Sequence, residues 1–421
     1  MRIIMPRRWI IFFITCLLFV LSQFYRSSVA VISPNLIDDL ALDTKELSLI
    51  SAAFFYAFAV MQIPIGLYLD SIGPRITMTV LTLVAVAGSL VFALGHSASS
   101  LVIGRALLGI GMSCNLMGTL KLITLWFGPL RFATLAAFVV SIGTAGNIGA
   151  STPLVLMVQA IGWRTAFIVF AGINLALAIL FFAVVRDRPK QPGDWAVPKE
   201  VPMDLGETLK SVRALFAERD YWIISFGTFC RYGIFAAVQA LWAGPYLMQV
   251  LGISPVMTGN LLFLMSIGLI VGSPVCGWLS DARIQSRKVV IISGLIGMII
   301  ILLMLAFLPV GTGFAFLAVL FFMFGFTSSA GQIMYAHIKE RMPIERAGTA
   351  MTGINFFTMG GVAVFLQGLG NLMQYLYPEA SLGPAAFKGS FLFCASCLVI
   401  TVALYGFTVE TLGRRARQSH G

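Results

Sequence analysis

GLYLDSIGPR, from Gly66 to Arg75, closes one long apolar run, and GWLSDARIQSRK, from Gly277 to Lys288, closes another. Each copy sets a glycine four residues before an aspartate and follows it with basic residues. Asp281 lies 211 residues after Asp70, as Gly277 does after Gly66 and Pro245 after Pro34. That offset is half of a 421-residue chain, so the two halves read as copies of each other. A weaker echo is RFATLAAF at Arg131 and RAGTAMTG at Arg346, where the arginine precedes a threonine by three residues.

Around these loops the chain is apolar almost throughout. Hydrophobic residues make up 59% and charged residues 11%, against about 25% charged in an ordinary soluble domain, and the mean hydropathy is +0.94. Such a chain belongs in a bilayer, where about 18 or more apolar residues in a helix cross the hydrocarbon. Twelve such runs are expected: 9–33, 47–69, 76–95, 99–126, 132–158, 164–185, 221–249, 256–279, 288–309, 313–338, 346–374 and 386–408. The first follows Arg2, Arg7 and Arg8 like a secretory leader. It continues to Pro34 without a small-residue cleavage site, and so reads as a retained helix.

The expected class is all-α, with a six-helix bundle over 1–185, a polar linker over 186–219 holding Pro189, Pro192, Pro198 and Pro202, and a second bundle over 220–421. The end of the linker, Asp204 to Arg219, carries Leu205, Leu209, Val212 and Phe216 at helical spacing and predicts an amphipathic surface helix.

Charge sets the orientation. Arg75, Arg131, Arg283, Arg287, Lys288, Lys339, Arg341, Arg346, Arg414, Arg415 and Arg417 fall on one face of the twelve-helix topology, and only Lys45, Arg164 and Lys388 on the other. The positive-inside rule then places both termini in the cytoplasm, in a bacterial inner (plasma) membrane. The net charge of +11 follows from this topology and calls for no nucleic-acid partner. All six cysteines lie within the runs. The Cys394-x-x-Cys397 pair lacks the further ligands a metal needs, and no metal or cofactor is expected. A monomer in the lipid bilayer is the expected state.

The duplicated loop resembles the one between the second and third helices of major facilitator superfamily transporters. Arg105-x-x-x-Gly109-x-Gly111 resembles that family's helix-four motif, and GWRTAF at Gly162 resembles its turn before helix six. The resemblance covers nearly the whole chain. It implies two six-helix halves about an axis along the membrane normal, with substrate near the midplane. It also implies a gate at the inner mouth, in which Asp70 and Asp281 pair with Arg131 or Arg346, beside Arg75. Gly143, Gly146 and Gly149 resemble the antiporter motif of drug exporters, except that Gly146-Asn147 stands where that motif has Gly-Pro.

An ionised side chain at mid-membrane costs about 2.5 to 3.5 kcal/mol on insertion scales, so each one needs a reason. Arg26, Arg105, Lys121 and Arg231 fall within the runs. Arg105 and Lys121 are near enough to the ends to snorkel; Arg26 and Arg231 are not. No Asp or Glu lies within a run away from its ends, which makes an anionic substrate the natural counter-charge for a guanidinium fork.

FYRSSVAVISP, from Phe24 to Pro34, resembles helix one of the organic anion and organophosphate transporters, where an arginine eight residues before a proline binds the anion. Arg26 has that spacing. RYGIF at Arg231 resembles the second arginine of organophosphate antiporters. Pro245 follows it by fourteen residues, which sets it about 9 Å deeper; bonding to backbone carbonyls is the alternative role. Tyr25, Asn115, Tyr232, Gln239, Trp242, Gln332 and Tyr335 complete the candidate substrate site. Gln239 and Trp242 share a helix face with Tyr232 and Phe235, an apolar wall with polar handles.

The expected function is therefore a secondary transporter, not an enzyme, moving a small organic anion (a carboxylate or phosphate ester) by alternating access. With no buried carboxylate, and His337 the one histidine within a run, anion exchange or a proton carried on the substrate is favoured as the coupling. The rival readings are a proton-driven drug or metabolite exporter, and a transporter-like receptor, for which the stretch after Glu410 is short for a signalling segment.

Overall fold

In lipid a backbone N–H or C=O has no water to bond, and a helix pairs both within one segment. The structure, a computed structural model, describes residues 7–127, 129–187, 215–341 and 347–412, with the side chains of residues 63, 67, 70, 129, 130, 133 and 347–352 left aside. All regular structure among the described residues is helical. Spans one to four are Arg7–Ser27, Thr44–Gln62, Pro74–Leu94 and Ala98–Phe127, span five is the bent pair Thr134–Gly149 and Thr152–Ile161, and span six is Trp163–Val184. Spans seven to twelve are Arg219–Val250, Pro255–Arg283, Arg287–Ala306, Phe314–Arg341, Gly353–Leu376 and Pro384–Tyr405. The surface helix expected to begin at Asp204 lies largely outside the described residues. The chain divides into two compact units, Met1–Val201 and Pro202–Gly421.

Glycine contacts inside each unit repeat the duplication seen in the sequence. In the first unit a Cβ on Gly146 would stand 2.0 Å from the Val20 carbonyl oxygen, and one on Gly109 would stand 2.1 Å from that of Phe54. Spans one and five, and spans two and four, therefore touch through bare backbone. In the second unit Gly361 meets the Phe229 carbonyl, and Gly268 meets that of Phe322, at 2.3 and 2.0 Å by the same measure. These join spans seven with eleven and eight with ten. Outward faces are apolar, as lipid requires: Ile168, Ile173, Leu175, Ile179 and Phe182 of span six are all exposed.

Several spans are interrupted, two of them at prolines. In the helix Val29–Leu40, which continues span one, Pro34 has no N–H for the Ala30 carbonyl. The hydroxyl of Ser33 donates to it instead at 2.9 Å. Span five bends by 41° just before Pro153. Span seven carries two π turns, Val238–Trp242 and Tyr246–Val250, on either side of Ala243–Pro245. Span ten is broken by one 3₁₀ turn, Ala330–Gln332. Such breaks inside spans are often functional positions.

Candidate functional site

In the first unit, Phe54 and Phe58 are one turn apart on span two, and their rings stack with centroids 6.0 Å apart. Each ring carries a guanidinium. Arg26 Cζ lies 4.3 Å from the Phe58 centroid and Arg105 Cζ 4.8 Å from that of Phe54. A desolvated cation over an aromatic face is held by the ring quadrupole. Arg26 is half-buried, at the last turn of the helix Arg7–Ser27. Arg105 is fully buried and donates through Nη1 to the Tyr25 carbonyl at 2.6 Å, while its Nε and Nη2 find no partner among the described residues. Snorkelling, expected from its place near a span end, does not occur.

Tyr25 is fully buried. Its hydroxyl donates to Ser89 at 3.1 Å and accepts from Asn174 at 2.9 Å, so both of its polar contacts lie within the bundle of the first unit. Ser27 donates to Asn147 at 2.9 Å; the asparagine that replaces proline in the helix-five motif ties span five to span one beside Arg26. Asn115, also fully buried, donates to the Leu18 carbonyl at 3.1 Å, just past the break in span four at Ser113.

In the second unit Arg231 is 2% exposed and donates to the Ser328 carbonyl at 3.2 Å. Tyr232 is half-buried, with its ring 6.3 Å from that of Phe235. Gln239 and Trp242 lie in the first π turn of span seven. The amide of Gln239 donates to Ser266 at 3.1 Å, and the Trp242 indole N–H is buried with no partner among the described residues. Gln332 is exposed, and Tyr335 shares a hydrogen bond with Thr358 of span eleven at 3.0 Å. These residues occupy spans seven and ten; Arg26, Tyr25 and Asn115 occupy spans one and four of the other unit.

The ends bearing the duplicated loop show a matched exchange of caps. In the first unit Gly73, at φ +94°, turns the chain into Pro74 at the start of span three. The Arg75 N–H donates to Asp187, just beyond span six, at 2.7 Å. The Arg75 guanidinium donates twice to the Phe182 carbonyl at 3.0 and 2.8 Å. Arg7 does the same for Val184 at 3.0 and 2.6 Å, so two cations cap the negative end of span six.

In the second unit Glu410, just beyond span twelve, accepts the N–H groups of Arg287 and Lys288 at 3.0 and 3.1 Å and the Ser286 hydroxyl. The Lys288 ammonium bonds the carbonyls of Gly406 and Thr408. Partial burial works against the charge on Glu410, but the Ser286 hydroxyl and the amides of Arg287, Lys288 and Leu412 outweigh it and hold the carboxyl at about 2. At the other end of the first unit, the Trp163 indole and Arg164 bond Asp39 and lower its pKa against a smaller opposing effect of burial.

Among the gating candidates, Asp281 is paired with Arg287, which also holds Glu340 at 2.9 Å. Arg131 is exposed. The side chain of Asp70 and the whole of Arg346 lie outside the described residues. His337 is buried and uses both ring nitrogens: Nε2 donates to the Val409 carbonyl at 2.9 Å, which leaves Nδ1 to accept from the Tyr405 hydroxyl at 2.7 Å.

Sequence reasoning left out Asp187 and Glu410, whose signal is an acidic residue directly after the last apolar run of each half. It also left out the burial of Arg105. The aromatic pair Phe54 and Phe58, four residues apart, was the available sign that span two had a ring to offer each arginine.

Residues 15–365 and 224–420 match the family model described as Major Facilitator Superfamily. A probable sulfoacetate transporter of Cupriavidus necator is 28% identical over 290 residues, 66% of this chain and 66% of that protein, so the match spans just under two thirds of its length. A hexuronate transporter of Bacillus subtilis is 26% identical over 287 residues, 65% of this chain and 67% of that one. In fold, the nucleoside transporter NupG superposes with a TM-score of 0.77 over 94% of this chain and 99% of its own, at 13% identity.

Proposed function

Because the chain belongs to the major facilitator superfamily, we propose that it is a secondary transporter that carries a small organic anion by alternating access, with Arg26 as the residue that binds the anionic group. One observation carries the reading. Arg26, a half-buried guanidinium at the end of span one, has its Cζ 4.3 Å from the centroid of the Phe58 ring of span two. A guanidinium is a planar fork matched to the oxygens of a carboxylate, sulfonate or phosphate ester, and the ring quadrupole favours keeping it charged. The two relatives above are named for sulfoacetate and hexuronate, both organic acids, which supports an anion over a cationic drug.

In this reading the basic ends of both units face the cytoplasm of a bacterial inner membrane. Asp70 and Asp281, with Arg75, Arg131 and Arg346, act at the inner gate. Within the second unit, Tyr232, Gln239, Trp242, Gln332 and Tyr335 are the candidate polar and aromatic substrate contacts, and within the first Tyr25 and Asn115 set the helix that carries Arg26. Coupling is by anion exchange or by a proton carried on the substrate, since both nitrogens of His337 are already bonded.

A ligand that binds only the folded protein raises its melting temperature by mass action. Sulfoacetate, glucuronate and glucose 6-phosphate, with glucose and tetraphenylphosphonium as neutral and cationic controls, should be compared on the purified wild type and Arg26→Ala. At least one anion should stabilise the wild type and none the variant. Stabilisation by tetraphenylphosphonium alone would overturn the proposal.

A further inference from the structure

Arg231 of span seven lies flat on Gly331 of span ten. A Cβ placed on Gly331 would stand 2.1 Å from Arg231 Nε, 2.5 Å from Cζ and 2.8 Å from Cδ. Only a bare Cα admits the guanidinium there. Its Nη1 donates to the Ser328 carbonyl at 3.2 Å, at the end of the helix Phe314–Ser329, where the Ala330 N–H also turns to the Ser328 and Thr327 carbonyls as the α-helix tightens. Gly331 is the middle residue of the single 3₁₀ turn that interrupts span ten. At the end of that turn is exposed Gln332, and three residues further Tyr335, bonded to Thr358.

We infer that Arg231 is a positioning residue: seated on Gly331 and bonded to Ser328, it holds span ten in its 3₁₀ turn and so sets where Gln332 and Tyr335 stand. The turn gives up regular α-helical bonding in the middle of a span, where no water replaces it, so a fixed donor from a neighbouring helix is the economical remedy. Arginine suits the task because its reach is long and its head is flat.

The first unit contains an independent instance. Arg105 Nη1 donates at 2.6 Å to the carbonyl of Tyr25, one of the last four of the helix Arg7–Ser27, one residue before Arg26. There the arginine is on span four and the carbonyl on span one. In the second unit the arginine is on span seven, the counterpart of one, and the carbonyl on span ten, the counterpart of four. The residues 211 positions from the two arginines are Phe316 and Val20. Neither clamp is therefore a copied residue, and the same bond is made from opposite sides.

The inference rests on the proposed transport only for its last readout. In full-length protein carrying Gln332→Cys, maleimide labelling and melting temperature should be measured for Arg231→Ala, Gly331→Ala and the double variant. The guanidinium ends a flexible side chain, so Gly331→Ala should evict it rather than part the helices. Both single variants should then change labelling by the same factor, about threefold or more, and the double variant no further than either. Arg231→Lys, which keeps a long-reach donor, should return labelling to within about twofold of the parent and, in protein with Gln332 intact, restore the glucuronate uptake that Arg231→Ala loses. Additive effects in the double variant, or unchanged labelling in Arg231→Ala, would overturn the clamp. A loss in Arg231→Ala that appears only in anion affinity would assign the residue to substrate instead. Absence of glucuronate uptake by the wild type, with Gln332 intact, would count against the transport proposal alone, because labelling and melting still read the clamp.

Discussion

Phe58→Leu probes the Arg26 site from beneath without touching its charge. Arg26 Cζ lies 4.3 Å from the ring centroid, and the ring is 4% exposed. Cation–π contacts run from about 0.5–1 kcal/mol at exposed sites to about 2 when desolvated. For a half-buried guanidinium on a buried ring about 1 kcal/mol is expected, or roughly fivefold in substrate affinity if the ring is what orients the fork. Arg26→Ala removes the charge-assisted bond itself, about 1.5 to 3 kcal/mol, or roughly tenfold to a hundredfold. Arg26→Lys should recover part of that, lacking the planar fork.

The decisive sample is the double variant. If Phe58 acts only through Arg26, losing both should cost no more than losing Arg26. Calorimetric titration with whichever acid stabilises the wild type most, alongside melting temperature, gives the four affinities. Additive losses would refute the argument that the ring presents the guanidinium, and normal binding by Arg26→Ala would remove the site altogether.

Glu410→Gln should lower the melting temperature at neutral pH. Since the folded carboxyl is held at about 2 against an ordinary 4.5, its contribution is full above about pH 4.5 and fades as pH falls towards 2, so the gap between variant and wild type should close over that window. A gap that does not depend on pH would point to lost packing instead. Gly146→Ala puts a methyl 2.0 Å from the Val20 carbonyl oxygen, which is rigid backbone. About 1–3 kcal/mol of destabilisation is expected by thermal melting, and wild-type stability would show that spans one and five part freely. Asp281→Asn should change stability by less than about 1 kcal/mol, its side chain being 62% exposed. The same change should raise maleimide labelling of a cysteine introduced at Ser280; unchanged labelling would argue against a gating role.

Much of the fold could be read from the sequence because lipid makes length and apolarity nearly sufficient. Residues 288–309 were expected as a span, and Arg287–Ala306 is one. The site was less legible, for a physical reason. Sequence locates an arginine along a helix but not the carbonyl or ring beside it. Arg105 looked free to snorkel, yet Phe54 and the Tyr25 carbonyl hold it inside. Arg231 was read as a ligand for an anion or a donor to backbone carbonyls, and only the structure supplies the carbonyl, that of Ser328. The place of Arg75 in the duplicated loop suggested a gate but not the helix end it also serves. The bonds of Arg75 cap span six, because a helix end with open carbonyls lies within its reach. In each case the partner comes from another span, and helix packing decides which.

Uptake by the purified protein in liposomes tests the central claim most directly. Radiolabelled sulfoacetate, glucuronate and glucose 6-phosphate should be offered against unlabelled internal anion, with glucose and tetraphenylphosphonium as controls, for the wild type and Arg26→Ala. Accumulation of at least one of the acids by the wild type, and its loss in a folded Arg26→Ala, is the predicted result. Transport confined to the neutral or cationic probe, or equal anion uptake by the two proteins, would contradict it.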